Sequence, residues 1–312
     1  MGIYSTSTDQ VTRVLDSTRG ISFSEVRFRS PEAVSFEIIG AGTRDAICEL
    51  TLDTARIREL FPYEQFHSHD WTPDGRTLAY ITFRKNRAVV IVRTGDDARK
   101  IADLGPWHGN GPGDEHREDR ISWSPDGRYL LVATGHAGAR PAIRVMDPDG
   151  RLVAPRTFGT LARWVPTGDV IYRDLETGPE GEGPWHVLDL ETGTGDLAIE
   201  RGTVRPAVSP DGRFIIVDDA TGNARLYLFD LERGTQRILA RGYIGGLWLD
   251  PGRVSVVKVR PCEASPLPDP CAASTAWHPV GSTRFTIDVE TGHITTSRLR
   301  LSRGIDLLYS SG

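Results

Sequence analysis

Histidines are the side chains in this sequence whose grouping suggests chemistry. Six of the eight fall in two regions, and these six are His67, His69, His108, His116, His136 and His278. Imidazole binds divalent transition metals, often beside carboxylate oxygens, and it also exchanges protons near neutral pH. The grouping predicts a divalent transition-metal site, and the predicted ligands are His67, His69, His108 and His116. The alternatives are solvated loop histidines and a metal-free acid or base, because no second motif fixes a ligand spacing.

Two long segments outside any regular pattern add residues suited to binding. Residues 105–119 contain Trp107, and residues 260–279 contain Trp277. Aromatic side chains in loops favour contact with a ligand or partner, and an arginine such as Arg140 can hold a carboxylate or phosphate through two hydrogen bonds. The predicted binding residues are His67, Trp107, His108, His116, His136, Arg140, Trp277 and His278. The pattern singles out no catalytic residue.

Repeated strand-turn-strand units must position these residues. Three close copies are DWTPDGRTLAYIT at 70–82, SWSPDGRYLLVAT at 122–134 and AVSPDGRFIIVDD at 207–219. Three weaker copies start at Phe28, Arg163 and Leu247. Successive turns lie 42, 52, 41, 44 and 40 residues apart, counted from Pro31 to Asp250. The chain therefore divides into six units of about forty residues, the usual sign of a repeat architecture.

Each unit has the pattern of four antiparallel strands. Pro, Asp and Gly are the residues that a tight turn prefers, so the chain reverses at every copy. The strand after the turn is nearly continuously apolar, as in TLAYIT and YLLVAT, which is typical of a sheet covered on both faces. Such sheets must stack on one another, and radial stacking predicts an all-β, six-bladed β-propeller with four antiparallel strands per blade. A faint further copy around Trp277 leaves seven blades open.

We expect a single propeller domain over residues 1–312. The predicted blades are residues 22–62, 66–104, 119–158, 160–200, 203–240 and 243–300. Segments 10–16 and 303–309 also have strand-like patterns, and we expect one or both of them to complete a blade and so close the ring.

The WSPDGR units resemble the repeats of TolB-like propellers, which are related to the WD-type repeat proteins. Three copies match this pattern closely, whereas Ala33 replaces the turn glycine in the first copy, Thr167 replaces the aspartate in the fourth, and the sixth inverts Asp and Pro. The resemblance implies the fold. It leaves the function open, because such propellers serve as transport accessories, peptidase gates, lyases and scaffolds. The Gly-x-Ser-x-Gly elbow of a hydrolase does not occur in the sequence.

The phase of the repeat indicates which loops share one end of the propeller. Short turns after the first and third strands fall at one end, and the links between strands two and three and between units fall at the other. The segments 105–119 and 260–279 and a smaller insertion from Asp174 all fall at this second end, where binding residues on a rigid scaffold usually collect. Because alternate residues of a strand share a side, His67 and His69 are expected to face the same way.

Composition narrows the range of partners. A formal charge of −5 provides no basic field for nucleic acid, no segment is long and apolar enough for membrane insertion, and the N-terminus lacks the pattern of a secretory signal. We expect a monomer in the cytoplasm, or an exported protein if a signal has been removed. Cys262 and Cys271 flank a proline-rich segment and are either reduced thiols or a loop-closing disulfide.

These patterns predict a non-catalytic propeller that binds a protein partner or a small ligand on its long-loop face. The alternative is a small stand-alone enzyme, a lyase, hydrolase or cyclase, with a histidine-based site at the axial funnel that a divalent metal would serve. An exported envelope component similar to TolB is a third reading, and it would need a signal and an extra domain.

Overall fold

The structure, a computed structural model, is built from β-strands. The residues that it describes are 2–5, 10–13, 21–30, 32–40, 46–62, 66–106, 120–135, 141–174, 184–199, 206–219, 224–261, 277–279 and 283–298. These ranges contain no helix, so the structure describes none that could span a membrane.

Within these ranges the strands form seven antiparallel sheets. A two-stranded sheet contains β1 (Gly2–Ser5) and β2 (Gln10–Arg13). Sheet 1 contains β3 (Ile21–Ser30), β4 (Ala33–Gly40), β5 (Ala46–Thr51) and β6 (Arg56–Pro62). Sheet 2 contains β7 (Phe66–Trp71), β8 (Thr77–Arg84), β9 (Arg87–Thr94) and β10 (Asp97–Pro106). Sheet 3 contains β11 (Arg120–Trp123), β12 (Leu130–Thr134), β13 (Ala142–Met146) and β14 (Thr157–Phe158).

The second half of the chain continues the same plan. Sheet 4 contains β15 (Thr160–Trp164), β16 (Val170–Arg173), β17 (Trp185–Leu188) and β18 (Gly195–Ile199). Sheet 5 contains β19 (Ala207–Val208), β20 (Phe214–Asp219), β21 (Arg225–Asp230) and β22 (Thr235–Arg241). Sheet 6 contains β23 (Tyr243–Asp250), β24 (Arg253–Pro261), β25 (Trp277–Pro279), β26 (Thr283–Asp288) and β27 (Ile294–Arg298).

Successive sheets pack face to face through shared apolar cores. Ile81 of sheet 2, for example, is fully buried in one cluster with Trp123 and Val132 of sheet 3. Clusters of this kind join sheets 1 and 2, 2 and 3, 3 and 4, 4 and 5, and 5 and 6. The first strands of neighbouring sheets also touch, since β7 contacts both β3 and β11. Each sheet therefore covers the faces that its neighbours cannot cover for themselves, as the apolar second strands predict.

The Pro-Asp-Gly turns are held by a repeated hydrogen-bond pattern. In sheet 3 the Gly127 N–H donates to the Ser124 carbonyl, and the Ser124 hydroxyl donates to Asp126 at 2.6 Å and accepts from the Tyr129 N–H at 2.9 Å. The turns of sheets 2 and 5 repeat these contacts with Thr72 and Ser209. The turn residues thus satisfy one another's polar groups, which confirms the turn chemistry predicted from the repeat.

Tryptophans at the end of the first strands tie sheet 4 to sheet 3 and sheet 6 to sheet 5. The Trp164 indole N–H donates to the Ser122 carbonyl of sheet 3 at 3.1 Å, and the Trp248 indole N–H donates to the Ala207 carbonyl of sheet 5 at 2.9 Å. A buried indole N–H needs such a partner because it cannot reach water. Trp164 and Trp248 therefore contribute both packing and a directional bond between sheets.

Three predictions concern segments near the chain ends. The faint copy around Trp277 forms β25, which pairs with β24 at Val259–Pro261 and so adds to sheet 6. Part of the segment 10–16 forms β2, which pairs with β1, while 303–309 lies outside the described residues. The number of blades and the closure of the ring by the chain ends stay predictions.

Cys48 is a buried free thiol, and Cys262 and Cys271 lie outside the described ranges.

Candidate functional site

The antiparallel strand order defines two ends of the stacked sheets. The turns from first to second strand and from third to fourth strand lie at one end, which we call the short-turn end. The links from second to third strand and from one sheet to the next begin and finish at the other end, which we call the long-loop end. Residues 107–119 connect β10 to β11, and residues 262–276 connect β24 to β25, so both long segments start from the long-loop end.

Three of the residues predicted to form the site, Trp107, His108 and His116, lie in the first of these connections. The predicted site residues outside the described residues are Trp107, His108, His116, His136 and Arg140. His67 is the second residue of β7, while Trp277 and His278 lie on β25, opposite Pro261 and Arg260 of β24. The strand order therefore places His67 and β25 at the long-loop end, and the metal site and the binding contacts stay predictions.

His67 is the extra residue of a β-bulge. Phe66 pairs with Thr82 and Ser68 pairs with Ile81, so two steps along β7 match one step along β8. The regular alternation that predicts a common side for His67 and His69 does not extend across this bulge. Bulges are frequent next to functional sites, because they redirect a side chain away from the regular face of a sheet.

His69 belongs to a buried polar cluster between sheets 1 and 2. Its Nε2 lies 3.2 Å from the Ser35 hydroxyl, which also accepts a hydrogen bond from the Trp71 indole N–H at 2.9 Å. Its Nδ1 lies 3.6 Å from Oε1 of Glu37. Ser35 and His69 are fully buried and Glu37 is 4% exposed. Alternation explains the arrangement, since Ser35 and Glu37 share one side of β4, and His69 and Trp71 share one side of β7.

The proton positions in this cluster follow from the donors available. An indole N–H can only donate, so Ser35 keeps its own hydrogen and one lone pair for His69. The Glu37 oxygen beside Nδ1 favours a proton on Nδ1. A proton on Nδ1 leaves Nε2 to accept a hydrogen bond from the Ser35 hydroxyl.

The cluster replaces an apolar contact that the other junctions retain. Strand register places Ser35 where the later second strands have Ala79, Leu131 and Ile171, because Phe28 pairs with Val34 as Trp71 pairs with Leu78 and Trp123 with Leu130. His69 likewise stands where the next first strand has Ile121. Burying polar groups costs free energy unless they bond to one another, and here they do. Sequence reasoning singled out His69 but missed Ser35 and Glu37, whose signal was their polarity in an apolar column.

The opposite side of β7 binds sheet 3. The Ser68 hydroxyl accepts from the Ile121 N–H at 3.3 Å, and the Asp70 carboxylate accepts from the Trp123 N–H at 2.7 Å. Burial raises the pKa of Asp70 above its ordinary value, and the hydrogen bond from Trp123 works in the opposite direction. The strand that carries His67 is therefore fixed on both of its sides.

Ser35, His69 and Glu37 have the order of a nucleophile, a base and an orienting carboxylate. Ser35 is nevertheless fully buried, so a substrate cannot reach its hydroxyl in this structure. His69 has one ring nitrogen directed at Ser35 and the other at Glu37, which leaves neither free for a metal without rearrangement. Across the described ranges no group of three or more His, Cys, Asp or Glu is arranged to hold a metal ion. The cluster joins β7 to β4.

Comparison with known proteins identifies the fold. No protein-family model and no curated protein sequence matches the chain. Among solved structures, TolB from Acinetobacter baumannii is similar over 75% of this chain and 58% of its own, at 15% identity and a TM-score of 0.53. The β-propeller domain of the Trilobed protease from Pyrococcus furiosus is similar over 90% of this chain and 84% of its own, at 15% identity and a TM-score of 0.56. The chain has a TolB-like β-propeller fold.

The TolB-like fold of this chain is shared with enzymes. An oligogalacturonate lyase in complex with manganese is similar over 83% of this chain and 78% of its own, at 16% identity and a TM-score of 0.62. The chain spans less than two thirds of the A. baumannii TolB chain. At these identities the likeness shows the fold alone, and the fold serves both TolB and catalytic proteins.

Proposed function

We propose that this TolB-like propeller is a non-catalytic binding protein that takes a protein partner or a small ligand at its long-loop end. The observation that carries the proposal is the strand order, from which both long connections, 107–119 and 262–276, start at the same end. These connections contain the loop tryptophan Trp107 and the histidines His108 and His116, and Trp277 and His278 follow the second of them. Aromatic side chains in long loops are the residues that most often anchor a partner.

The short-turn end supports the proposal by contrast. The polar groups of its turns bond to one another. The Ser124 hydroxyl, for example, donates to Asp126 and accepts from the Tyr129 N–H. A TolB-like fold is consistent with protein binding, and the fixed strand β7 gives the long-loop end a rigid base. Variable loops on a rigid scaffold are the usual arrangement of a binding face.

Affinity capture with matched variants tests this function. One variant replaces residues 262–271 with a short Gly-Ser linker, and a second carries Trp107→Ala. The control is Leu152→Ala, which removes an apolar side chain that is 54% exposed beside the reversal into the fourth strand of sheet 3, at the short-turn end. We expect the two long-loop variants to lose the captured partner or ligand and the control to retain it. Equal capture by all three would place the interface elsewhere.

The second candidate is an enzyme with a divalent transition metal at the same end. The bulge that displaces His67 on β7 favours it, together with the fold likeness to a lyase in complex with manganese. The residues proposed as ligands are His67, His108 and His116. Metal analysis of the purified protein would find about one ion per chain, the stoichiometry of a single closed site. We expect His67→Ala with His108→Ala to lose the ion and His293→Ala, at the short-turn end, to keep it; a metal-free natural protein would exclude this candidate.

A further inference from the structure

Two arginines lie side by side where the third and fourth strands of sheet 5 meet the long-loop end. Arg225 is the first residue of β21 and Arg241 is the last residue of β22, and the strand register places them directly opposite each other. Directly opposite residues share one face of a sheet, and like charges at such positions destabilise it. The pair therefore carries a cost in folding that a negatively charged ligand would remove.

Sheet 2 shows how the fold can pair an arginine at this position. Arg87 is the first residue of β9, the third strand of sheet 2, and its Nε donates to both carboxylate oxygens of Asp103 on β10 at 2.9 Å. The fourth strand of sheet 5 has the sequence TQRILAR and so contains no acidic residue. Among the residues that the structure describes, no carboxylate lies within 4.0 Å of the Arg225 or the Arg241 guanidinium. Both groups therefore lack the acceptor that Arg87 has.

One donor of Arg225 is hidden from water. Its Nε is buried and has no hydrogen-bond partner among the described residues, although the side chain as a whole is half-buried. Arg241 is exposed, so the pair can be approached from solvent. A buried donor without an acceptor costs free energy, and in a folded protein such a group often indicates an ion or a water molecule that completes it. An oxyanion held between Arg225 and Arg241 would supply the missing acceptor.

The backbone that carries the two arginines is fixed in place. The Gly242 N–H donates to the Ala224 carbonyl at 2.7 Å, so the residue after Arg241 is bonded to the residue before Arg225. Ala224 is fully buried and has a left-handed φ of 41°, which residues other than glycine rarely adopt. Strained residues of this kind persist where the surrounding structure holds them, and they cluster at ligand-binding sites. The two arginines therefore start from a preorganised base.

The charges of the neighbouring strands leave this junction positive. Arg225 faces sheet 4, because Tyr227, two residues later on the same side of β21, packs in the cluster that joins sheets 4 and 5. Strand register and the same alternation assign five charged residues of β16–β18 and β20–β22 to the facing surfaces of the two sheets. These residues are Arg173, Arg225, Arg241, Asp196 and Asp219. Three arginines against two aspartates leave one positive charge in excess.

We propose that Arg225 and Arg241 bind an oxyanion, a carboxylate or a phosphate, at the long-loop end of sheet 5. Its oxygens accept hydrogen bonds from both guanidinium groups, whose donors lie in one plane and suit these two anions. The proposal rests on the binding function proposed above for this end of the propeller. It adds the chemical group that the ligand presents there.

Proton–nitrogen NMR spectra of the natural protein test the proposal, because they record the N–H signals of arginine Nε atoms. Sodium phosphate and sodium acetate are the probes, and sodium chloride at matched ionic strength is the control. We expect the Arg225 signal, identified by its absence in Arg225→Gln, to shift with a dissociation constant on the order of a few millimolar for the better anion. The ratio between the two probes identifies the oxyanion. No shift, or an equal shift with chloride, would overturn the proposal.

Matched arginine variants locate the binding. Arg241→Gln should weaken binding of the better anion about tenfold, whereas Arg87→Gln, the same change at an arginine that already has its carboxylate, should leave it unchanged. Without an anion, Arg241→Gln should melt at a higher temperature than the natural protein, because it removes the repulsion between neighbouring charges. The Arg241 side chain is exposed, so this variant is expected to fold. Equal anion binding by the natural protein and Arg241→Gln, or a lower melting temperature in Arg241→Gln, would contradict the assignment.

Affinity capture separates this proposal from the function on which it rests. If Trp107→Ala loses the captured ligand while Arg225→Gln and Arg241→Gln retain it, the long-loop function stands and the oxyanion site is wrong. If phosphate or acetate shifts the Arg225 signal but no long-loop variant changes capture, the oxyanion site stands and the interface formed by the long connections is wrong.

Discussion

The contact between Trp71 and Ser35 is the only bond in the polar cluster whose direction is fixed by its donor. An indole N–H has no acceptor role, so Ser35 must present a lone pair to it. Trp123 holds the same position in the next sheet, and its buried Nε1 has no hydrogen-bond partner among the described residues. The two tryptophans therefore differ in one hydrogen bond, while their exposed fractions are similar at 9% and 6%.

This pair separates the hydrogen bond from the packing. Trp71→Phe and Trp123→Phe remove the same volume, but only the first removes a hydrogen bond and leaves Ser35 one partner short. We expect Trp71→Phe to lower the free energy of unfolding by about 1 kcal/mol more than Trp123→Phe does. Urea denaturation followed by circular dichroism measures the difference. Equal losses of unfolding free energy in the two variants would mean that the hydrogen bond from Trp71 to Ser35 does not stabilise the fold.

Variants of the polar cluster test whether polar side chains between sheets 1 and 2 are needed for stability. His69→Ala leaves a cavity beside Glu37 and should lower the free energy of unfolding by about 3 kcal/mol. Combining Ser35→Ala, Glu37→Ile and His69→Ile restores the residues found at the next junction, Ala79, Ile81 and Ile121. We expect this triple variant to come within about 1 kcal/mol of the natural protein, because replacing all partners of a buried polar contact by apolar side chains can be nearly neutral.

Thermal and urea unfolding of the single and triple variants decide the matter. A triple variant as unstable as His69→Ala would show that the polar contacts are required for the junction to form. A stable triple variant that has lost capture at the long-loop end would assign the cluster to function through the position of β7.

At the scale of single residues, the sequence pattern identified His69 but no other member of the polar cluster. Its column was apolar in other copies, which is a signal readable from spacing alone. Ser35 and Glu37 sit in the weakest copy, where Ala33 replaces the turn glycine and a bulge in β3 between Ser24 and Arg27 shifts the register. Which side chains of β4 meet those of β7 depends on that register, and no local pattern records it.

The Pro-Asp-Gly turns are the elements whose stability depends on pH in a calculable direction. The Ser124 hydroxyl, followed by the Arg128 N–H, lowers the pKa of Asp126 to about 2. A carboxyl whose pKa is lower in the folded state stabilises the fold above its unfolded value near 4 and loses that contribution as the pH falls to about 2. Water screens part of the effect, because Asp126 is 47% exposed.

Asp126→Ala removes this contribution. We expect the variant to lose about 1 kcal/mol of unfolding free energy at pH 7, and the gap to the natural protein to narrow between about pH 4 and pH 2. Urea unfolding at a series of pH values measures the gap. The control is Asp96→Ala, an exposed aspartate that reaches Arg93 only at 3.8 Å and should change little. A gap that is independent of pH would contradict the assignment.

Two reversal glycines separate backbone strain from the packing of neighbouring sheets. Gly150 and Gly95 both have positive φ values, of 87° and 59°, but only Gly150 touches the preceding sheet. Gly95→Ala should therefore lose about 1 kcal/mol from the left-handed conformation alone. Gly150→Ala should lose about 2 kcal/mol more, because its methyl group meets the Ile101 carbonyl. Melting temperatures of the two variants check this order, and equal values would mean that sheets 2 and 3 separate readily.

The turns and the apolar second strands are the elements that the sequence predicted best. Pro, Asp and Gly shape a turn through contacts between residues at most five apart. The hydrogen bonds that Ser124 makes with Asp126 and Tyr129 are of this local kind. The fourth strands were harder, since β14 has only two residues and β10 has two register shifts. Edge strands receive little cooperative pairing, and their length depends on the neighbouring sheet more than on their own pattern.

At the scale of the whole molecule, the shared cores make each sheet depend on its neighbours. Leu131 is 2% exposed and lies in the cluster between sheets 3 and 4. Leu131→Ala should lower the free energy of unfolding by about 2–5 kcal/mol through the cavity that it leaves. We expect far-ultraviolet circular dichroism and tryptophan fluorescence to shift to the same new urea midpoint. Each sheet shares a core with its neighbours, so the sheets should unfold together. Separate midpoints would indicate that groups of sheets unfold alone.

Three of the turn glycines also mark where a turn packs against the preceding sheet. A side chain on Gly75 would meet the Arg29 carbonyl of sheet 1, one on Gly127 would meet Pro73 of sheet 2, and one on Gly212 would meet Thr167 of sheet 4. Each of these turns therefore rests on the turn made before it. Because synthesis proceeds from the N-terminus, the residues that seat these three turns are made before the turns themselves, and each of the three can dock as it leaves the ribosome.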